Sequence, residues 1–232
     1  MAEGLKLRAL RIKHGDRPLL ELDLTVPPAT ILSVMGPSGV GKSTLLAAIT
    51  GQMSADFSLE GEILLNGRNL CPLPPQERRV GILFQDHLLF PHLSVGANLA
   101  FGLAPQIRGR ARRARIEDAL AEIGLEGFHD RDPETLSGGQ KARVALMRML
   151  LSEPDLLLLD EPFSRLDATL RSQMRDLVFT FARDRALPVL MVTHDAADAE
   201  AAGGRLFSWS REGLRRNERL SGAVRQSRTA RA

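Results

Sequence analysis

The chain has 232 residues, a mass of 25.4 kDa and a formal net charge of +3. Apolar residues make up 44% of it and charged residues 25%, which is ordinary for a globular protein and excludes wholesale disorder or a collagen-like repeat. Its one cysteine, Cys71, excludes an intramolecular disulfide and a cysteine-based metal site. At roughly 150 residues per domain, this length predicts one large domain, or one domain with a subdomain.

Strands and helices alternate along the chain. Three strands are predicted within residues 1–36, and a helix follows from Lys42 to Gly51. Two more strands are predicted at 59–66 and 79–85. From Ser94 to about residue 151 the pattern is helical, and DLLLLD and PVLMVTHD then predict buried strands on either side of an amphipathic helix. This order predicts a mostly parallel sheet with a helical insertion.

Two long stretches, residues 24–41 and 87–107, lack charged side chains, but proline and glycine interrupt both. Neither is the apolar run of about 20 residues that a membrane-spanning helix needs. The first residues also lack the apolar core of a signal peptide. We therefore expect a soluble, non-exported protein that reaches a membrane only through a partner.

The positive charge is concentrated at the end of the chain. Residues 206–232 hold seven arginines and two glutamates, a net charge of +5, which leaves −2 for the remaining residues. Such a segment is typical of a solvated, frayed terminus, and contact with acidic lipid headgroups or nucleic acid is the alternative. We expect no nucleic-acid partner, and a poorly ordered basic tail over 208–232 with no assigned role.

The segment GPSGVGKST, residues 36–44, follows an apolar strand and opens a helix. Its spacing places Gly36, Gly41, Lys42 and Ser43 in the G-x-x-x-x-G-K-[ST] pattern of a phosphate-binding loop. Glycines let successive backbone N–H groups point at phosphate oxygens, and the helix adds its N-terminal dipole. The lysine supplies a positive charge for the β- and γ-phosphates, and the serine hydroxyl is a ligand for Mg²⁺.

A second candidate site lies at the end of the leucine-rich run LLLLDEP, residues 156–162. Ligands bind at the carboxyl ends of the strands in open α/β sheets, and Asp160 and Glu161 stand at such an end. We expect Asp160 to hold Mg²⁺ and Glu161 to polarise an attacking water. Acidic strand ends are common, so the interpretation depends on the loop at 36–44.

A third motif, LSGGQ, precedes another helix. Ser137 is placed as its N-cap, and Gly138 and Gly139 leave backbone N–H groups uncovered. A well-capped helix is one reading. The other is a second anion site that meets the first across a dimer, so that each nucleotide is held between two copies of the chain.

The motifs GPSGVGKST, FQD, LSGGQ, LLLLDEP, RLD and VTHD occur in this order within residues 5–207, and on them the chain resembles the nucleotide-binding subunit of an ATP-binding cassette (ABC) transporter. The resemblance implies a P-loop NTPase α/β fold with a mostly parallel central sheet and an N-terminal antiparallel β subdomain. It places the ATPase domain at 1–207, with the helical subdomain inserted at about 94–151. ATP and Mg²⁺ are the implied ligands.

The resemblance also implies roles for the motif residues. Glu161, His194 and Gln85 would be catalytic, and Ser43, Gln85 and Asp160 would hold the metal. Asp167 would lie at the dimer seam. Contact with the ATP of the opposite subunit would come from the LSGGQ residues Ser137, Gly138, Gly139 and Gln140. The nucleotide of the same subunit would contact His14 and the loop residues Gly36, Pro37, Ser38, Gly39, Val40, Gly41, Lys42, Ser43 and Thr44.

Three of these assignments have open alternatives. Gln85 is also compatible with an ordinary polar residue at a strand end, and Asp167 with a cap for the helix that follows it. His14 occupies the position where the family usually has an aromatic residue that stacks on adenine, and an imidazole offers less area for stacking. The seam motif, usually SALD, has Arg165 at its second position, and the segment after Leu206 does not resemble the closing strands of the family.

The stretch from residue 72 to 103 resembles the importer branch, in particular ATPases for thiamine, polyamine, sulfate or iron uptake. Residues 206–232 are too few for the extra regulatory domain that many of those ATPases carry. The implied partners are a second copy of the chain, transmembrane permease subunits and an extracytoplasmic solute-binding protein, with the chain at the cytoplasmic face of the inner membrane. A groove that receives the permease would suit the apolar side chains of Leu88, Leu89 and Phe90. The same side chains are equally compatible with packing between the sheet and the helical insertion.

Two other functions compete with import. A cassette protein that acts on DNA or ribosomes would need a coiled-coil insertion or two cassettes, and this chain has neither. A regulatory or scaffolding ATPase of a membrane complex is the remaining alternative, and the intact Glu161 and His194 do not exclude it. The sequence does not identify the solute.

Overall fold

The computed structural model describes residues 3–37, 39–86, 88–164, 166–210 and 213–216. Its strands are β1 Leu5–His14, β2 Arg17–Val26, β3 Ile31–Met35, β4 Phe57–Leu65, β5 Arg68–Asn69, β6 Val80–Leu83, β7 Leu156–Asp160, β8 Val189–Val192, β9 Arg205–Ser210 and β10 Gly213–Arg216. Its α-helices are α1 Lys42–Thr50, α2 Val95–Ala100, α3 Gly109–Glu122, α4 Gly138–Leu150, α5 Ala168–Asp184 and α6 Ala196–Ala202.

Two sheets organise these elements. The first is antiparallel, in the order β2-β1-β4-β5, and the second runs β10-β9-β3-β8-β7-β6. In the second sheet all pairings are parallel except the one between β9 and β10. This is the predicted α/β P-loop NTPase fold, with an N-terminal antiparallel sheet and a mostly parallel central sheet.

The leucine-rich strands of the central sheet are buried because helices cover both of its faces. Leu156 to Leu159 in β7 and Val189 to Val192 in β8 are 0% exposed. On one side α1 and the antiparallel sheet pack against them, and on the other side α4 and α5 do. The polar residues that follow β3, β7 and β8 therefore emerge together at one edge of the sheet.

The helical insertion contains α2, α3 and the start of α4. Its own small core includes Val95, Leu99 and an apolar stripe along α3 and its C-cap residue, namely Ile116, Ala119, Leu120 and Ile123. The face of α3 opposite that stripe carries exposed arginines, as expected for a solvated face. The insertion thus packs largely against itself and joins the sheet through α4.

The sequence-based boundary at residue 207 needs a correction. β9 runs across it to Ser210, and β10 pairs with β9 over 213–216. Trp209 is only 5% exposed and belongs to the core that also contains β3 and α1. The closing strands therefore exist, although their sequence is unlike that of the family. Residues 217–232 of the expected tail lie outside the described residues.

Candidate functional site

The loop after β3 is shaped for anion binding. Gly39 and Gly41 adopt φ values of 78° and 103°, which L-residues with side chains rarely adopt. Gly41 caps α1 without a side-chain hydrogen bond, so the backbone N–H groups at the start of this helix are left for a ligand. Ser38, a predicted member of the loop, lies outside the described residues.

Lys42 holds the loop in its curved shape. Its side chain is largely buried, and Nζ donates to the carbonyl oxygens of Gly36 at 2.6 Å and Pro37 at 3.0 Å. A positive charge is thereby fixed at the helix start, next to the uncovered N–H groups. This arrangement attracts the negative charge of phosphate groups.

The two acidic residues stand at the end of β7. Partial burial and the negative charge of Glu161 raise the pKa of Asp160, and the nearby Lys42 ammonium opposes that rise. Glu161 has a φ of 48°, in the left-handed region, and its amide donates to the Val192 carbonyl at 2.9 Å. The tight turn that follows β7 thus fixes the Glu161 backbone against the end of β8.

His194 follows β8 and meets this glutamate. Its Nδ1 lies 3.1 Å from Oε2 of Glu161, and the imidazole is 63% exposed, whereas the glutamate side chain is 24% exposed. The histidine thus stands at the outer side of the site, within hydrogen-bond distance of a carboxylate. The structure therefore brings together two of the three residues predicted to be catalytic.

A network that the sequence analysis missed holds the segment around His194. Arg171 of α5 pairs with Asp195, and Arg175 one turn further pairs with the buried Asp198 of α6. Partial burial acts to raise the pKa of Asp195, but the amides of Ala197 and Asp198 and the Arg171 guanidinium outweigh it and lower that pKa. The helix after the seam motif thus fixes the histidine segment. Sequence patterns do not predict an ion pair such as Arg171 with Asp195, whose partners are 24 positions apart and belong to different elements.

A cleft of about 350 Å³ joins most of these groups. His14 lies in it, with its ring 4.8 Å from that of Phe57. Since these two rings stand at one end of the predicted phosphate site, they provide an apolar surface for a flat group. The lining of the cleft is formed by His14, Leu19, Gly39, Gly41, Lys42, Ser43, Thr44, Phe57, Asp160 and Glu161.

The LSGGQ residues lie elsewhere in the described chain. Ser137 and Gln140 form a reciprocal capping box: the Ser137 hydroxyl accepts from the Gln140 amide, and the Gln140 side chain accepts from the Ser137 amide. Neither residue lines the cleft described above. The well-capped helix is therefore present, and its exposed start is separate from the loop at 36–44 of the same chain.

Gln85 and Asp167 also lie outside that lining. Gln85 is half-buried just beyond β6. Asp167 caps α5, because its carboxylate accepts from the Leu170 amide at 3.0 Å. The cap alternative is thus correct for Asp167, and the dimer-seam role stays a prediction. Arg165, the departure in the seam motif, lies outside the described residues.

A second concavity of about 300 Å³ lies between β6 and α4, beside the segment that follows Gln85. Its rim includes the large apolar side chains that are exposed in the described chain: Phe84 is 37% exposed, Leu88 60% and Phe101 67%. Leu89 and Phe90 are half-buried, and Leu89 packs between the sheet core and the helical core, which is the packing alternative for that residue. We call this concavity the apolar groove.

Within the described residues no helix is long and apolar enough to cross a bilayer.

Comparison with known proteins places these features in a family. Residues 19–164 match the ABC transporter family. The uncharacterized ABC transporter ATP-binding protein YnjD of Escherichia coli (strain K12) is 51% identical over 193 residues, which is 83% of this chain and 88% of that protein. The thiamine import ATP-binding protein ThiQ of Cereibacter sphaeroides is 48% identical over 196 residues, 84% of this chain and 83% of its own. ThiQ of Vibrio vulnificus (strain YJ016) is 46% identical over 189 residues, 81% and 79% of the two chains. The chain therefore belongs to the ABC transporter family, as an importer-type ATP-binding subunit with ATPase activity.

Proposed function

We propose that this subunit powers solute import across the cytoplasmic membrane, as a dimer that closes on two ATP molecules. The observation that carries the proposal is the apolar groove, since exposed apolar patches on a folded domain mark interaction surfaces. The names of the similar thiamine import proteins support a permease and a solute-binding protein as the partners. The subunit would then lie peripherally at the cytoplasmic face of the inner membrane.

The residues of the cleft fit a magnesium-bound triphosphate. The Ser43 hydroxyl and the Asp160 carboxylate are hard oxygen ligands of the kind that Mg²⁺ prefers, and both line the cleft beside Lys42. Mg²⁺, when bound, neutralises charge on phosphate oxygens. Gln85 lies outside this lining, so its role as a metal ligand rests on the family resemblance alone.

In this proposal Glu161, at the end of β7 and in the lining of the cleft, acts on the attacking water. Its carboxylate would accept a hydrogen bond from that water and take up its proton as the water oxygen bonds to the γ-phosphorus. The bond from that phosphorus to the β–γ bridging oxygen would break in the same step, with ADP as the leaving group. His194, 3.1 Å away, would hold the carboxylate in orientation and contact the γ-phosphate. The Asp195 and Asp198 pairs with α5 would keep the histidine in place.

Dimer formation supplies the remaining phosphate contacts in this proposal. The capped start of α4 offers uncovered N–H groups, yet Ser137 and Gln140 do not line the cleft of their own chain. A second copy in head-to-tail orientation would place its Ser137, Gly138, Gly139 and Gln140 against the γ-phosphate. Asp167, at the start of α5, would lie at the seam between the copies.

The import proposal predicts that charges in the apolar groove uncouple the subunit from its permease. Leu88→Asp and Phe101→Asp should each weaken capture of the permease at least tenfold, because burial of an unpaired carboxylate opposes docking of an apolar surface. Capture of importer-type permease subunits by the full-length chain is the measurement. ATP binding should be unchanged, as neither residue lines the cleft.

Ala201→Asp, which puts the same charge on an exposed position of α6, is the matched control and should capture the permease normally. Undiminished capture by both groove variants would remove the support for import. Thiamine is the first solute to test in the assembled transporter, and that test is separate from the groove experiment.

His14 is predicted to contribute to nucleotide affinity by stacking on the base. His14→Ala should weaken ATP binding about fivefold, because stacking of a base on an aromatic ring contributes about 1–3 kcal/mol. Titration calorimetry with the full-length chain measures the change. His129→Ala, on the helical insertion, is the control. Equal affinities of the His14 and His129 variants would show that the base lies elsewhere.

A further inference from the structure

Arg148, near the end of α4, contacts the segment that follows Gln85. Its Nη2 donates to the Leu88 carbonyl oxygen at 2.9 Å, and its Nη1 lies 3.4 Å from Oδ1 of Asn98. The guanidinium carbon is 5.0 Å from the centroid of the Phe90 ring. Burial lowers the pKa of this arginine, as expected for a guanidinium enclosed by protein. One half-buried side chain thus makes two contacts with this segment and a third with Asn98 of α2.

The segment 88–94 begins with a residue in an unfavourable backbone conformation. Leu88 has a φ of 42°, in the left-handed region that bulky residues rarely occupy and that persists only where surrounding contacts enforce it. Its carbonyl is the one that Arg148 binds. From the other side the fully buried Asn98 accepts from the Phe90 amide at 2.8 Å and donates to the Phe90 carbonyl at 3.0 Å. Arg148 and Asn98 together therefore fix the wall of the apolar groove.

The same helix connects this wall to the LSGGQ motif. α4 begins after Ser137, and its rise of 1.5 Å per residue places Arg148 about 16 Å further along the axis. A Cβ at Gly102 would lie 2.1 Å from the Arg148 carbonyl oxygen, so the chain just beyond α2 touches the α4 backbone at this point. The chain beyond α2 and the end of α4 are therefore in direct contact, which is the packing that a displacement of the groove wall would need in order to reach α4.

We infer that Arg148 is a positioning residue that sets the groove wall relative to the LSGGQ helix. An occupant that pushes on Leu88 or Phe90 then shifts α4 through the guanidinium, and with it the phosphate-binding start at Ser137. The identity of the occupant rests on the proposed function. The linkage between the groove wall and α4 does not depend on the proposed function, because its test needs no permease.

The first test is hydrogen exchange of the full-length chain. Arg148→Gln should speed exchange of the Phe90 and Leu93 amides at least tenfold, while the amides of α1 keep their rates. Arg143→Gln is the matched control, because Arg143 is a half-buried arginine of the same helix that donates to the Ile123 carbonyl, away from the groove. Unchanged exchange in Arg148→Gln, or equal acceleration in both variants, overturns the inference.

The second test separates positioning from simple loss of structure. Arg148→Lys keeps the charge but lacks the planar fork that reaches Leu88 and Asn98 from two nitrogens, so it should speed the same amides at least threefold and less than Arg148→Gln does. If Arg148→Gln does not fold, wild-type exchange in a folded Arg148→Lys overturns the inference.

ATPase assays of the Arg148 variants give a further measurement. Their kcat should fall about three- to tenfold with KM for ATP within twofold, since the cleft residues are untouched. A rise in KM with unchanged kcat contradicts the assigned role.

Discussion

Glu161→Gln is expected to lower the turnover number for ATP roughly 10²- to 10⁴-fold, the usual scale for loss of a positioned general base. Glutamine has nearly the shape of glutamate and still accepts a hydrogen bond from His194 Nδ1, so the geometry of the site is kept. An amide does not take up a proton from water at neutral pH. The loss therefore falls on the chemical step, and ATP affinity should change little. Steady-state hydrolysis and equilibrium binding by the same preparation measure the two quantities.

The control for this variant is Glu200→Gln, which makes the same change on the exposed face of α6 and should hydrolyse ATP at the wild-type rate. Near-normal hydrolysis by Glu161→Gln would remove this glutamate from the mechanism. A comparable loss of ATP binding would instead show that the carboxylate supports the nucleotide site itself.

Trp209→Ala should reduce the free energy of unfolding by about 3–5 kcal/mol, the range for loss of a large buried aromatic side chain. Trp209 is 5% exposed and packs into the core shared by β3 and α1. The variant should also bind ATP more weakly, because a Cβ at Gly36 would lie 2.5 Å from the Trp209 carbonyl, which places β9 directly against the start of the phosphate loop. Urea unfolding gives the stability change.

Phe207→Ala is the matched comparison, since Phe207 is a half-buried aromatic residue of the same strand. Its smaller burial predicts a loss less than half as large. A change below about 1 kcal/mol for Trp209→Ala would show that β9 contributes little to the central sheet.

The site residues at the strand ends and the strand β9 differ in how well the sequence predicts them. The positions of Lys42, Asp160 and His194 were predictable, because each lies at or beyond the end of a short buried strand and parallel strands end at one edge of the sheet. Their roles in nucleotide binding and hydrolysis stay predictions. β9 was missed because RLFSWS is short and carries a charge, and its burial arises only from pairing with β3. Local patterns do not report such tertiary pairing.

Contacts between residues far apart in the chain were likewise not predictable from sequence patterns. Arg148 binds the Leu88 carbonyl, 60 positions away, and Arg171 binds Asp195 on another helix. The sequence analysis assigned no role to either arginine. The positive φ of Leu88 was also unpredictable, since leucine has no preference for that conformation and the surrounding contacts impose it.

The most direct test of two-copy nucleotide binding is the mass of the Glu161→Gln variant in saturating Mg-ATP, measured by light scattering or sedimentation. The proposed arrangement predicts a species of twice 25.4 kDa that forms with ATP and reverts to the single-chain mass when the nucleotide is removed. Adding Ser137→Arg to the variant should prevent this association, because a bulky side chain would occupy the place of the γ-phosphate. A Glu161→Gln chain that binds Mg-ATP and stays at 25.4 kDa would contradict the account.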